Sequence, residues 1–156
     1  MSNRGFSAIE MVIVVVLIGI IATIGFPRLK DALEKQNRRD MRAALVSYLA
    51  LARNSAVARG CRSAVHFVSG PNSRVWVTAC STRPGAAPTA RDTLAGPVWT
   101  EAQWNHRFYA IGRDSINYDA RGLRQQLVAT TIKIRTKGEV ERDSVVVNPV
   151  GKVIYP

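Results

Sequence analysis

Arg4-Gly5-Phe6-Ser7-Ala8-Ile9-Glu10, continued by an apolar run from Met11 to Phe26, decides how this chain is built. No charged residue occurs between Met11 and Phe26, and Glu10 is the one charge from Gly5 to Phe26. As a helix, the roughly 21 residues from Phe6 to Phe26 measure about 32 Å, enough to cross a hydrocarbon core of about 30 Å. A Sec signal peptide fits less well, because its apolar core is shorter and no small-x-small cleavage site follows Ile24. The residues alone therefore give a membrane anchor. Glu10 needs an explanation within it: a carboxylate in a membrane helix costs about 2.5–3.5 kcal/mol at the centre, less near the interface, and calls for a partner. A cut between Gly5 and Phe6 would create an α-amino group about one turn away, able to pair with Glu10 of its own chain or of a neighbour.

Outward from the anchor, the helical pattern continues. Pro27 removes a backbone hydrogen bond and predicts a kink near the membrane surface. Leu29 and Leu33, then Leu45, Tyr48, Ala52 and Ala56, repeat at helical spacing around a polar stretch, Glu34 to Asp40. One helix from Phe6 to about Ala58 follows, with Gly60 as its C-cap and Arg59 complementing its dipole. From Arg62 the period changes. Ala64–Val68 and Val75–Ala79 flank Gly70-Pro71-Asn72-Ser73 as a hairpin. Residues 81–97, rich in Pro, Gly, Ala and Thr, read as a long surface loop. Val98–Ala110 is ambiguous, with Trp99, Trp104, Phe108 and Tyr109 as core material. Ile116–Asp119, Thr130–Thr136, Ser144–Val147 and Lys152–Tyr155 read as strands closing one sheet. The fold class is α+β: a long N-terminal helix, membrane-spanning in its first half, packed on a C-terminal antiparallel β-sheet domain.

The chain has 156 residues and a formal net charge of +11. Without the anchor, about 130 residues remain, enough for one small core and not for two. The basic balance suits an anionic partner, such as nucleic acid, lipid headgroups or acidic proteins. Cys61 and Cys80 form one disulfide if the domain is exported, or remain two buried thiols if it is not. The two histidines, His66 and His106, show no ligand spacing, so no metal or other cofactor is expected. Phosphate loops, nucleophile elbows and telling carboxylate pairs are absent, so no catalytic residue and no enzymatic role are expected.

Gly5-Phe6-Ser7-Ala8-Ile9-Glu10 resembles the type IV prepilin motif, and Pro27 resembles the proline common in pilin helices. Leu51–Gly60, Tyr118-Asp119-Ala120-Arg121-Gly122 and a terminal hairpin ending near Gly151-Lys152-Val153-Ile154 narrow the likeness. It points to the H-type pseudopilins of type II secretion and the FimT/FimU-like minor pilins. The resemblance implies a leader over residues 1–5, cut by prepilin peptidase between Gly5 and Phe6, with N-methylation of Phe6. It implies a transmembrane helix over 6–27, a periplasmic helix half over 28–60 and a β-rich pilin domain over 61–156. It places the protein in the bacterial inner membrane, among membrane lipid and an assembly platform, and then in a filament with other pilins, where Glu10 sets axial register. Basic residues after the span (Arg28, Lys30, Lys35, Arg38, Arg39 and Arg42) run against this topology by the positive-inside rule; the motif overrides that count.

The function implied is a structural subunit of a type IV pilus or secretion pseudopilus, acting in tip formation, pilus biogenesis or protein secretion. The alternative is a DNA-binding minor pilin for uptake in natural transformation. Arg121, Arg124, Lys133, Arg135, Lys137 and Lys152 are its candidate phosphate contacts, with Lys133, Arg135 and Lys137 on one strand face. FimT-like DNA receptors carry a C-terminal Gly-Arg-x-Arg, to which Gly151-Lys152-Val153-Ile154 corresponds with isoleucine replacing the second arginine.

Overall fold

The computed structural model describes residues 7–154. The chain forms two compact units, Met1–Gln36 and Asn37–Pro156, and one helix, α1 (Ala8–Arg59), contributes to both. In the first unit every large apolar side chain from Ile9 to Phe26 is exposed, although the segment is long and apolar enough to cross a membrane. The helical backbone continues through Pro27.

In the second unit α1 buries Met41, Leu45, Leu49, Ala52 and Ala56, a stripe at spacings of three and four. Burying side chains of the size of Leu45 or Leu49 contributes about 1.5–3 kcal/mol each. The helix ends in a Schellman cap. Gly60 adopts φ +62°, its amide donates to the Val57 carbonyl at 3.2 Å, and the Cys61 amide donates to that of Ala56 at 3.1 Å. These bonds satisfy carbonyls the helix would otherwise leave open.

Eight strands follow: β1 (Ser63–Val68), β2 (Arg74–Cys80), β3 (Arg91–Trp99), β4 (His106–Ile111), β5 (Ser115–Tyr118), β6 (Thr130–Thr136), β7 (Glu141–Val147) and β8 (Val153–Ile154). A short helix, α2 (Thr100–Trp104), separates β3 from β4. The strands form two antiparallel sheets, ordered β3-β2-β1-β5 and β4-β6-β7-β8, where the sequence suggested one. The expected β1–β2 hairpin is present, with His66 opposite Trp76. Val65, Phe67, Val75 and Val77 of the first sheet join Phe108, Ile132, Ile134, Val145 and Val147 of the second in one core with the α1 stripe.

The expected loop over 81–97 is corrected. Only its first half is a connection, and Arg91–Trp99 pairs with β2 as an edge strand. Its Gly and Pro hid it. The strand accommodates them through register shifts around Val75 and Val77, since an edge bulge needs no amide from Pro97. Gly96, at φ +79°, is required there because a Cβ would sit 2.6 Å from the Val75 carbonyl oxygen. Two further differences bear on the site. β7 begins three residues earlier than expected, at Glu141. β6 ends at Thr136, so Lys137 lies in the turn and does not share a strand face with Lys133 and Arg135.

Candidate functional site

Glu10 lies in the first turn of α1, where its own amide and that of Met11 donate to the Ser7 carbonyl at 3.1 and 3.3 Å. A carboxylate there faces the positive end of the helix dipole. The expected cleavage and methylation positions, Gly5 and Phe6, lie outside the described residues.

Cys61 and Cys80 are joined in a disulfide, which ties the residue after the helix cap to the end of β2. The Arg59 guanidinium reinforces this corner, donating to the Cys80 carbonyl at 2.7 Å and to Asp92 at 3.2 Å. Among the described residues no group of His, Cys, Asp and Glu could hold a metal ion.

The basic residues expected to meet phosphates are, with one exception, engaged elsewhere. Arg121 pairs with Asp119 at 3.1 Å, Lys133 with Glu141 at 2.7 Å, Arg135 with Glu139 at 3.4 Å and Lys137 with Glu101 at 3.1 Å. Arg107 joins the two acids, reaching Glu101 at 2.8 Å and Glu139 at 3.1 Å. The Arg107 guanidinium, hydrogen-bonded to Glu101, holds that carboxyl below its ordinary range, with Lys137 adding to the effect. The Tyr109 hydroxyl does the same for Glu139, ahead of Arg107. Arg124 is no surface cation. It is 6% exposed and donates to the Val147 and Asn148 carbonyls and to the Thr130 hydroxyl, fastening the loop before β6 to the turn after β7. Lys152 is exposed and forms no ion pair among the described residues.

Asp119 organises the Tyr118–Gly122 turn. Its carboxylate accepts the amides of Arg121 and Leu123, each at 2.9 Å, and the Leu123 amide is the main reason its pKa is lowered. Gly122, at φ +74°, closes against α1, where a Cβ would meet the Val57 side chain at 2.8 Å.

Sequence reasoning missed a surface on the first sheet. His66 stacks on Trp76, with ring centroids 5.0 Å apart. The Arg74 guanidinium lies 5.4 Å from the Trp76 ring and 5.2 Å from that of Trp99. The strand read from the sequence begins at Val75, one residue too late to include Arg74, which in β2 shares a face with Trp76. The signal was incomplete because Trp99 fell in the ambiguous stretch.

The family model described as type II transport protein GspH matches residues 43–151, more than half of the 156. Two crystal structures of the type IV minor pilin FimU of Pseudomonas aeruginosa, in different space groups, are similar at 13% identity and a TM-score of 0.46. They cover 81% and 76% of this chain, and 91% and 90% of their own. No curated protein sequence matches the chain.

Proposed function

The chain belongs to the GspH family, and from that premise we propose that it is a minor pilin or pseudopilin, a structural subunit of a type IV pilus or of a type II secretion pseudopilus. In this reading prepilin peptidase removes residues 1–5 and Phe6 becomes the methylated first residue. The apolar half of α1 resides in the inner membrane with the β-rich domain on the periplasmic side. An assembly platform then transfers the subunit into a filament tip or initiation complex, where its apolar helix packs among those of other pilins.

The observation that carries this reading is the division of labour along α1. The stripe from Met41 to Ala56 closes the core of the second unit, while the large apolar side chains from Ile9 to Phe26 are left for an apolar environment outside the chain. A membrane and a bundle of neighbouring helices can supply that environment in turn. In such a bundle Glu10 pairs with the Phe6 ammonium of a neighbour, because a lone buried charge is strongly destabilising. The DNA-receptor alternative draws no comparable support: most of its candidate residues are neutralised by carboxylates, and Arg124 is buried.

The test is Glu10→Val. The variant is expected to insert and to be processed as the parent is, and to be absent from sheared filaments or from the assembled pseudopilus. Normal incorporation would refute the pairing role.

A further inference from the structure

Strand β5 is an edge of the first sheet, and a side chain closes part of its free side. β5 gives Ile116 and Tyr118 to the core and pairs with β1 along its other side. On the free side the chain doubles back. The Asp119 amide donates to the Leu123 carbonyl at 2.9 Å, and the Gln125 amide donates to the Asn117 carbonyl at 3.0 Å. There the backbone pairing stops. The Gln126 carboxamide takes over, accepting from the Asn117 amide at 3.2 Å and donating to the Ser115 carbonyl at 3.3 Å. The Asn117 amide can only donate, which fixes the orientation of the carboxamide. In an antiparallel ladder two facing residues exchange both bonds; in a parallel one the bonds slant to successive positions. An amide that spans the carbonyl of Ser115 and the N–H of Asn117 makes the parallel pattern. Gln126 therefore imitates one residue of a strand lying parallel to β5, opposite Ile116.

Beside this plug opens a cavity of about 530 Å³, whose walls include Arg113, Asn117, Gln126, Leu127, Val128 and Thr130. Its volume falls within the range of about 300–1,000 Å³ usual for ligand sites. Leu127 is 89% exposed and Val128 75%, so the loop before β6 presents apolar side chains that its own fold does not bury. No acidic residue lines the cavity. Two guanidinium groups bear on it. Arg113 lines it and forms no ion pair among the described residues. Arg124 lies behind its wall, donating to the Gln126 carboxamide oxygen at 3.3 Å and to the Thr130 hydroxyl. Arg124 is buried, and its other acceptors, the Val147 and Asn148 carbonyls, are neutral as well. A buried cation held by neutral groups alone lacks the compensation that a carboxylate would bring.

We propose that the β5 edge captures the C-terminal end of a partner polypeptide, whose last residue takes the place of the Gln126 carboxamide. In a strand parallel to β5, the amide of that residue donates to the Ser115 carbonyl. Its carboxylate accepts from the Asn117 amide and from Nε of Arg124, the two donors that Gln126 now serves. The partner chain must end there, because the next acceptor along the edge, the Asn117 carbonyl, is already taken by Gln125. A carboxylate in place of a neutral oxygen turns the contact with Arg124 into a charge-assisted bond. Arg113 adds a second positive charge, and an apolar last side chain has Leu127 and Val128 to cover. Strand addition at a sheet edge and capture of a terminal carboxylate are both established ways of holding a peptide. A fatty acid offers the carboxylate and the apolar chain but no amide for Ser115. The site uses no residue of α1 and does not depend on filament assembly.

The test uses the full chain in nanodiscs of neutral phosphatidylcholine. The probe is the peptide Ser-Thr-Val-Thr-Val-Val, labelled at its amino end and free at its carboxylate, followed by fluorescence anisotropy. Amidation of the carboxylate is expected to weaken binding at least about tenfold. N-methylation of the last amide, which removes the donor to Ser115, is expected to weaken it at least about fivefold. Two glycines added after the last valine are expected to abolish it. Gln126→Ala removes the competing carboxamide and is expected to bind the free-acid peptide at least about threefold more tightly. Val128→Glu, at an exposed position, is expected to keep the melting temperature and to bind more weakly. The peptide comparisons use the parent alone and stand apart from any effect of a variant on folding. Absence of binding to the parent up to about 1 mM peptide overturns the proposal. Equal binding of the free acid and the amide also overturns it. Unchanged affinity in a folded Val128→Glu variant places the peptide elsewhere and overturns the site. Displacement of the probe by laurate as readily as by unlabelled peptide, with the N-methylated peptide unimpaired, overturns it in favour of a lipid carboxylate.

Discussion

Arg124 shows how a single side chain can be misread from its neighbours in sequence. It follows a Gly-containing turn and sits near Arg121, so it reads as a surface cation. In the structure it is buried and bonds the last carbonyl of β7, the first carbonyl of the β7–β8 connection and a hydroxyl at the start of β6. Those acceptors lie 6 to 24 residues away in sequence, and nothing local announces them. Arg124→Met keeps much of the volume and removes every donor. The variant is expected to lose about 2–4 kcal/mol in urea unfolding, because buried acceptors left unpaired cost about 1–3 kcal/mol each. A loss below about half a kilocalorie would mean that water replaces the guanidinium without penalty. Asp119 belongs to the same scale: the sequence places it at the end of a strand, whereas β5 stops at Tyr118 and the Asp119 carboxylate binds the amides of the following turn, the local capping that Asp supplies in turns.

At the scale of elements, local chemistry was legible and long-range pairing was not. The Gly60 cap, the β1–β2 hairpin and the alternation of β6 are written in adjacent residues, and the structure has all three. β3 was invisible because its Gly-Pro pair contradicts strand propensity, and only pairing with β2 makes it a strand. One sheet became two because β1 takes β5 as its second neighbour and β4 takes β6, choices made by a shared core. The corner of α1, β1 and β2 carries a prediction. Replacing Cys61 and Cys80 by serine opens a loop of 19 residues' separation, expected to cost about 3 kcal/mol by chain entropy. Reductant should lower the denaturation midpoint of the parent and leave the double variant unchanged. The β4–β6 edge carries another. Glu101 and Glu139 have lowered pKa values through Arg107 and Tyr109 respectively. A lowered folded-state pKa means stability that is present above the unfolded value and lost as pH falls through the folded one. Melting temperature should therefore drop on acidification below about pH 4.3, and Glu101→Gln should flatten that part of the profile. An unchanged acid limb in that variant would show that the cluster does not couple to folding.

For the whole molecule, the net charge of +11 is not spread evenly over function. The second sheet neutralises much of its own, the helix segment after the apolar run carries another share, and in the first sheet Arg74 and Arg91 form no ion pair among the described residues. The apolar run itself was the most legible feature of the chain, because freedom from charge over that length has few physical uses. The fate proposed for it, insertion followed by transfer into a filament, turns on the proposed cut at Gly5–Phe6. The most direct test is intact-mass and N-terminal peptide spectrometry of the chain recovered from sheared filaments or cross-linked pseudopili of its native cells. The account predicts a chain that begins at Phe6, carries one added methyl group on that amine and co-purifies with other pilins. A chain still beginning at Met1, found in the membrane and absent from every filament fraction, would contradict it.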